Sequence, residues 1–191
     1  YGAGNPGGDG SGGAVFSSGT SEVLRCTFSA NRASGGLGSQ ASGFLGGGPH
    51  GSGGLGYGGA ICSSTGTVRV INSTLFGNEA RGGKGASGHN EPNLQVGGAG
   101  GMGRGGALSS TDSLFSITNC TLAANGAFGG AGGISALGYP EGPAGAAVGG
   151  GILAEGANAL RMVNCNVAQS VEADVFGPVS GAPNLIGGDP R

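Results

Sequence analysis

The side chains that could do chemistry are few, and they form no recurring group. The chain has 10 acidic and 8 basic residues and a net charge of −2. A glycosidase needs a pair of carboxyl groups within several ångströms of each other, and a calcium-dependent polysaccharide lyase needs an acidic cluster beside basic residues. The acidic residues here are scattered, and none shares a position when the repeats described below are aligned. We therefore predict no catalytic residue and no enzymatic activity.

The two histidines, His50 and His89, lie in glycine-rich stretches. Neither has a cysteine or a second histidine at the spacing of metal ligands. We expect both histidines at the surface, and we predict no metal site. A phosphate-binding glycine loop must be followed by a helix, and no helix is predicted after the Gly-Xaa-Gly runs of this chain. We therefore also predict no cofactor.

Composition excludes several classes of protein. Glycine supplies 50 of the 191 residues, against a usual share of roughly 7%. An interior glycine costs a helix about 1 kcal/mol relative to alanine, which excludes an ordinary helical domain. The single lysine, Lys84, argues against a nucleic-acid partner, because phosphate binding requires clustered basic residues. No stretch of 18 apolar residues occurs, so we predict no transmembrane segment.

Four segments of the chain repeat one another. Each opens on a pair of glycines followed by aliphatic residues, and the equivalent positions Arg25, Asn72, Asn119 and Asn164 are 47, 47 and 45 residues apart. The repeats contain short runs with β-branched residues, such as 67–75, and no helical periodicity. Such a unit cannot bury its own apolar face and must stack on its neighbours. The pattern predicts an all-β parallel β-helix, or solenoid, of about four coils in a single domain spanning 1–191.

The predicted coils alternate with glycine-rich insertions. The coils, called repeats 1 to 4 below, lie near 12–34, 58–81, 105–128 and 149–176, and the insertions near 1–11, 35–57, 82–104 and 129–148.

Stacked repeats predict columns of like residues. Two aliphatic columns should face inward, and two asparagine columns should lie at corners, since asparagine tolerates turn conformations and its amide can hydrogen-bond along a stack. The aliphatic columns are Val15, Ile61, Leu108, Ile152 and Phe28, Leu75, Leu122, Val167; the polar columns are Asn72, Asn119, Asn164 and Asn31, Asn78, Asn125.

Glycine often recurs every third residue in the insertions, as in Gly97, Gly100, Gly103 and Gly106. Three residues is the period of polyproline II, in which one edge of an extended chain can be bare backbone and approach its neighbours closely. We predict that the insertions project from one corner and pack as a second, polyproline II-like layer. Irregular glycine loops are the alternative.

Three cysteines fall in one column. Cys26, Cys120 and Cys165 are equivalent, Ser73 takes the position in repeat 2, and Cys62 lies in another column. Residues stacked on adjacent coils have Cα atoms close to the spacing of a disulfide. Cys120 and Cys165 could therefore bond, or they could remain small buried thiols.

Two stretches of the sequence resemble a known family. Val70–Ala80 and Ile117–Asn125 resemble the right-handed parallel β-helix repeats of bacterial surface and secreted proteins, in the non-enzymatic, polymorphic outer membrane protein-like branch of the pectate-lyase-like superfamily. Asp174–Gly177 and Asn184–Arg191 resemble the terminal stretch of choice-of-anchor proteins. The resemblance implies a right-handed helix, an exported protein at the cell surface, no catalytic residues, and a sequence that continues past Arg191.

Function follows from the predicted architecture. Bare strand edges at both ends of a solenoid invite another copy to stack, and a near-neutral charge removes long-range repulsion. We expect a non-enzymatic extracellular structural protein that self-assembles as a filament, or serves as a surface or adhesin scaffold, with cell-surface or matrix polysaccharide as a further candidate partner. A carbohydrate-active β-helix enzyme and a carbohydrate- or ice-binding module are the alternatives.

Overall fold

The computed structural model describes residues 2–41, 48–88, 96–135, 140–156 and 160–187. Within these ranges the chain forms β-strands and no helix. The strands are β1 (Gly10–Ser11), β2 (Val15–Ser17), β3 (Ser21–Leu24), β4 (Thr27–Ser29), β5 (Arg32–Ser34), β6 (Gly56–Tyr57), β7 (Ile61–Ile71), β8 (Thr74–Phe76), β9 (Glu79–Arg81), β10 (Gly103–Arg104), β11 (Leu108–Thr118), β12 (Thr121–Ala123), β13 (Gly126–Phe128), β14 (Ala147–Val148), β15 (Ile152–Ala154), β16 (Leu160–Val163), β17 (Cys165–Ala168), β18 (Val175–Phe176), β19 (Val179–Ser180) and β20 (Asn184–Ile186).

The strands form four sheets, and every strand pair is parallel. One sheet has the order β1-β6-β10-β14, another β20-β17-β12-β8-β4, and a third β13-β9-β5. The largest has eight strands, with β7 and β11 at its centre. Neighbouring strands come from successive repeats, as parallel pairing requires a long connection. The prediction of an all-β fold with parallel sheets is confirmed, and the arrangement is compatible with a β-helix.

The register places like residues opposite one another. Val15 pairs with Ile61, Ile61 with Leu108, and Leu108 with Ile152. Phe28 likewise begins a column that runs through Leu75, Leu122, Val167 and Ile186. Side chains alternate between the two faces of a strand, so this register keeps each column on one face.

These columns form the core. The buried side chains of repeat 2 include Ile61, Val68, Val70 and Leu75, and those of repeats 3 and 4 include Leu108, Phe115, Ile117, Leu122, Ile152, Leu160, Met162 and Val167. Full burial of such a side chain stabilises a protein by about 1.5–3 kcal/mol. The equivalent residues of repeat 1, including Val15, Val23 and Phe28, are only partly buried.

Each repeat turns its corners on residues with positive φ. The second corner uses Arg25, Asn72, Asn119 and Asn164, with φ between 50° and 53°. The first uses Gly12, Gly58, Gly105 and Gly149, and the third uses Ala30, Gly77, Ala124 and Gln169. Left-handed backbone is easy for glycine and tolerated by asparagine, which accounts for these residue types at most corners.

Extended glycine-rich segments connect the strands and bond to one another. The described parts, called the glycine segments below, are 4–10, 35–39, 48–56, 82–88, 97–103, 129–135 and 142–148. Parallel contacts join the first, third, fifth and seventh of them, through Gly7 N to Ser52 O, Gly53 N to Ala99 O and Gly100 N to Pro143 O, each 2.8 Å. Antiparallel contacts join these to the others, as from Gly101 N to Gly83 O at 2.9 Å. Residues 42–47, 89–95 and 136–139 of the predicted insertions lie outside the described residues.

Close packing of backbones excludes side chains from most positions in these segments. A Cβ on Gly53, Gly83 or Gly101 would lie closer than 3.0 Å to a backbone oxygen of a neighbouring segment. Gly8, in the first segment, has no atom within 4 Å of the place its Cβ would take. Glycine is therefore required at the positions that face a neighbouring segment, whereas other positions carry side chains, as at Ser52 and Ala99.

Replacing Gly100 by valine should disrupt the glycine segments and leave the strands folded. Its Cβ would meet Gly130 O and Gly145 N closer than 3.0 Å, and overpacking of this kind costs about 3 kcal/mol. Hydrogen exchange should show loss of amide protection at Gly101 and Gly145, with protection at Val70 retained. Gly8→Val is the control and should behave as the wild type; equal behaviour of the two variants would indicate irregular loops.

Candidate functional site

Four of the carboxylates that the structure describes have hydrogen-bond or ion-pair partners in the fold. Asp9 Oδ1 accepts from Leu55 N at 2.7 Å, and Asp174 Oδ1 accepts from Ser170 N at 2.9 Å. Glu155 forms an ion pair with Arg104. Glu79 pairs with Arg81 at 2.8 Å, and this hydrogen bond lowers the pKa of Glu79. In the described ranges, no cluster of three or more His, Cys, Asp or Glu side chains could hold a metal ion.

His50 differs from the sequence-based expectation. The prediction placed it at the surface, but the side chain is buried, and Ala41 N donates to its Nδ1 at 3.1 Å. The residues on either side of it bond to other glycine segments, Pro49 O to Gly4 N and Gly51 N to Ser39 O, so His50 lies inside the packed segments. His89 lies outside the described residues.

One asparagine column, in which Asn78 and Asn125 are buried and Asn31 is half-buried, bonds continuously between repeats. Asn78 Oδ1 accepts from both the backbone N and Nδ2 of Asn31, at 3.0 and 2.9 Å. Asn125 Oδ1 accepts in the same way from Asn78, at 2.9 Å for both bonds. The Nδ2 groups of Asn78 and Asn125 also donate to the carbonyls of Phe28 and Leu75. The Asn78 amide thus links repeat 1 to repeat 3 through Asn31, Phe28 and Asn125. The Asn125 amide bonds to Asn78 and Leu75 of repeat 2.

The second asparagine column lies on the outside. Asn119 Nδ2 donates to Asn72 Oδ1 at 3.1 Å, and Asn164 Nδ2 donates to Asn119 Oδ1 at 2.8 Å. All three residues are exposed and have positive φ. Water competes for these bonds, so this column sets the corner conformation more than it stabilises the fold.

The cysteine column supplies acceptors for the backbone of the preceding repeat. Ser73 Oγ accepts from Cys26 N at 3.1 Å, and Cys120 Sγ accepts from Ser73 N at 3.4 Å. Asn184 Oδ1 continues the pattern by accepting from Cys165 N at 3.0 Å. A small acceptor is needed at each level, and a thiol, a hydroxyl or an amide meets this need.

The possible disulfide between Cys120 and Cys165 is not formed, and both are buried free thiols. Their sulfurs are directed at backbone carbonyls, Cys120 toward Thr118 O and Cys165 toward Val163 O. A hydrogen bond from Cys120 to Cys165, opposed by burial, lowers the pKa of Cys165 to about 6. The same bond, together with burial, raises the pKa of Cys120. The pair borders an open groove of about 500 Å³.

The N-terminal end of the stack has an open core. In the part of the chain that the structure describes, strands β2, β3 and β4 each pair on one side only, with β7 or β8. Val15, Val23 and Phe28 are partly buried, and Phe16 and Leu24 are exposed. This end therefore presents unpaired backbone groups beside apolar side chains.

The C-terminal end carries one shorter turn that the sequence did not indicate. Strands β18, β19 and β20 pair with β15, β16 and β17, and no strand covers their other edge in the described residues. Val179, Leu185 and Ile186 are exposed there, as is Phe176. This turn contains no glycine-rich stretch, so its residues follow those of repeat 4 at a much shorter distance in sequence than the 45 to 47 residues between the other repeats. The repeat period therefore did not predict it.

The comparisons leave the chain without an identified relative: no family model, no curated protein and no solved structure matches it. Among the described residues, no helix is long and apolar enough to span a membrane.

Replacing Asn78 by leucine should lower the free energy of unfolding by about 3 kcal/mol or more, because buried groups of Asn31, Phe28 and Asn125 lose their partners. Urea unfolding followed by circular dichroism measures this. Asn72→Gly is the control, since it keeps the positive φ and removes only exposed bonds; a loss of under about 1 kcal/mol is expected. Equal losses would contradict the different roles of the two columns.

Cys62 should make stability depend on alkaline pH. Burial raises its pKa to about 11 from 9.0, so the unfolded chain releases this proton before the folded one does. The contribution is complete below pH 9 and is lost as the pH rises from 9 to 11, by roughly 2–3 kcal/mol. Urea unfolding at both pH values should show a smaller decline for Cys62→Ala than for the wild type. Cys26→Ala, at an exposed thiol, should not change the decline.

Proposed function

We propose that this chain is a non-enzymatic extracellular structural protein whose copies assemble end to end into a filament or surface scaffold. One observation carries the proposal: both ends of the stack combine unpaired parallel strand edges with partly exposed core residues. Edges of this kind are templates for pairing with another chain, and neither end has a helix over it in the described residues.

The proposed architecture is a right-handed parallel β-helix of about four coils with a polyproline II-like glycine layer beside it. Strand pairing between successive repeats supports the coils, and the handedness rests on the resemblance to bacterial β-helix proteins. Donors at every third residue, such as Gly4, Gly7 and Gly10, support the period of the layer. Such a molecule has one repeating direction, as a filament subunit requires.

Charge and chemistry are consistent with a structural role. The net charge of −2 gives little repulsion between copies. The side-chain amide hydrogen bonds of one column join successive repeats of the fold; this column contains Asn31, Asn78 and Asn125. The resemblance to exported surface proteins supports an extracellular location, where matrix or cell-surface polysaccharide is a second candidate partner.

Purified chain should form unbranched filaments as its concentration rises. Electron microscopy and sedimentation velocity over a concentration series measure this, and fibre diffraction should give a repeat of about 4.8 Å along the filament axis. Discrete folded monomers at high concentration would contradict self-assembly. Cleavage of a uronate polymer by the same preparation would contradict the non-enzymatic role.

A further inference from the structure

We infer that copies meet head to tail, with β18–β20 of one copy paired in parallel to β2–β4 of the next, and Phe176 stacked on Phe16. The inference rests on the proposed self-assembly and specifies its interface. It makes the short C-terminal turn the connecting element between copies.

Exposure identifies the two surfaces. Phe16 is 56% exposed and Phe176 is 51% exposed. Their counterparts in the same column, Cys62, Ser109 and Leu153, are all buried. Exposed aromatic rings therefore occur in this column only at its two ends, within the described residues.

The register then brings matching residues together. Phe176 continues the column of Phe16, Val175 that of Val15, and Ile186 that of Phe28. One further parallel pairing places each of these residues beside its counterpart on the next copy, about 4.8 Å away. At this spacing the two phenylalanine rings can stack with an offset. Val179 and Ile186, which are 39% and 41% exposed, would be covered.

The layer of glycine segments ends within each copy and does not continue across this interface, because its last level carries a side chain where the other levels have glycine. Gly10, Gly56 and Gly103 share a column with Ala147. A Cβ on any of the three glycines would lie closer than 3.0 Å to Ser34, Arg81 or Phe128 of the adjoining sheet. Ala147 carries a Cβ in the last repeat, where β13 is already the edge of that sheet.

A side chain also limits close packing at the first level of the glycine segments. Asn5 takes the position of Gly51 and Gly98 in the first segment, where those glycines face the preceding segment. A following copy thus cannot pack its segments as closely as they pack within one copy. The C-terminal turn has strands β18–β20 and no glycine segment in the described residues, so it provides the necessary separation.

Head-to-tail pairing has a defined geometry. It is a heterologous contact that does not use the same surface twice, so it generates an open polymer. The column from Val15 through Ile61, Leu108 and Ile152 to Val175 has five levels. The expected axial rise per copy is therefore about 24 Å.

Cysteine cross-linking tests the contact. Phe16→Cys and Phe176→Cys are made separately, each in a chain that also carries Cys26→Ser and Cys62→Ser, because Cys62 lies opposite position 16 in the same copy. Each variant alone, and a mixture of the two, is treated with a disulfide oxidant of low molecular mass. Each new bond joins two thiols and reduces one oxidant disulfide to its thiols. Adjacent strands have the Cα spacing of a disulfide, so the mixture should give cross-linked dimers and each variant alone should give none. Dimers of one variant alone would indicate head-to-head contact and overturn the inference.

A charge exchange provides a second test on the full chain. Phe16→Lys and Phe176→Asp should each raise the critical concentration for assembly at least about tenfold, as a loss of about 1.4 kcal/mol implies. The double variant places Lys beside Asp and should recover assembly. Thr111→Lys, on an exposed middle position, is the control and should assemble as the wild type.

The two proposals can fail separately. Filaments of the wild type with a rise other than about 24 Å, or without cross-links in the mixture, would retain the filament role and overturn this interface. Wild-type chain that stays monomeric at high concentration would overturn both. Filaments with the expected rise, together with recovery in the double variant, would support both.

Discussion

Hydrogen bonding between the backbones of successive repeats is the interaction on which the rest of the structure depends. It holds each residue opposite its counterpart, as with Ile61 and Leu108 or Leu75 and Leu122. A shift of one residue would turn the buried columns outward, so equivalent positions must carry similar side chains. Among the described residues, the same pairing leaves the first and last levels without a partner on one side. The partial burial of Val15 and Phe28 is a direct consequence.

The glycine segments obey a related constraint, in which backbones replace side chains as packing units. Bonds such as Gly53 N to Ala99 O and Gly83 N to Gly54 O require adjacent chains to approach at 2.8 Å between donor and acceptor. At the positions that face a neighbouring segment, a Cβ fits only where that neighbour is missing, as at Gly8 or Ala147. The positions of the glycines therefore show which sides of a segment have a neighbour. The total number of glycines does not show this.

Columns of like residues could be predicted from the sequence, and the environment of each column could not. Asn78 and Asn72 recur with the same period, yet Asn78 is buried and Asn72 is exposed. Burial depends on which face of the turn other segments cover. Both positions carry asparagine with the same repeat period, so the sequence does not distinguish them. His50 was placed at the surface for the same reason, since its covering segments are distant in sequence. The disulfide expectation used only the spacing of levels, whereas the direction of each sulfur depends on the corner geometry.

The sequence by itself determined the all-β class, the repeat period and the membership of each column, because parallel in-register pairing demands equal residue types at equal positions. The three-residue period of glycine led to the prediction of a packed layer of glycine stretches, which stays a prediction. Only the tertiary structure decided that these segments bond in both parallel and antiparallel pairs, that β18–β20 add a level, and that Phe16 and Phe176 end one column. Those features depend on contacts between distant segments, and a local pattern carries no information about which surfaces those contacts leave uncovered.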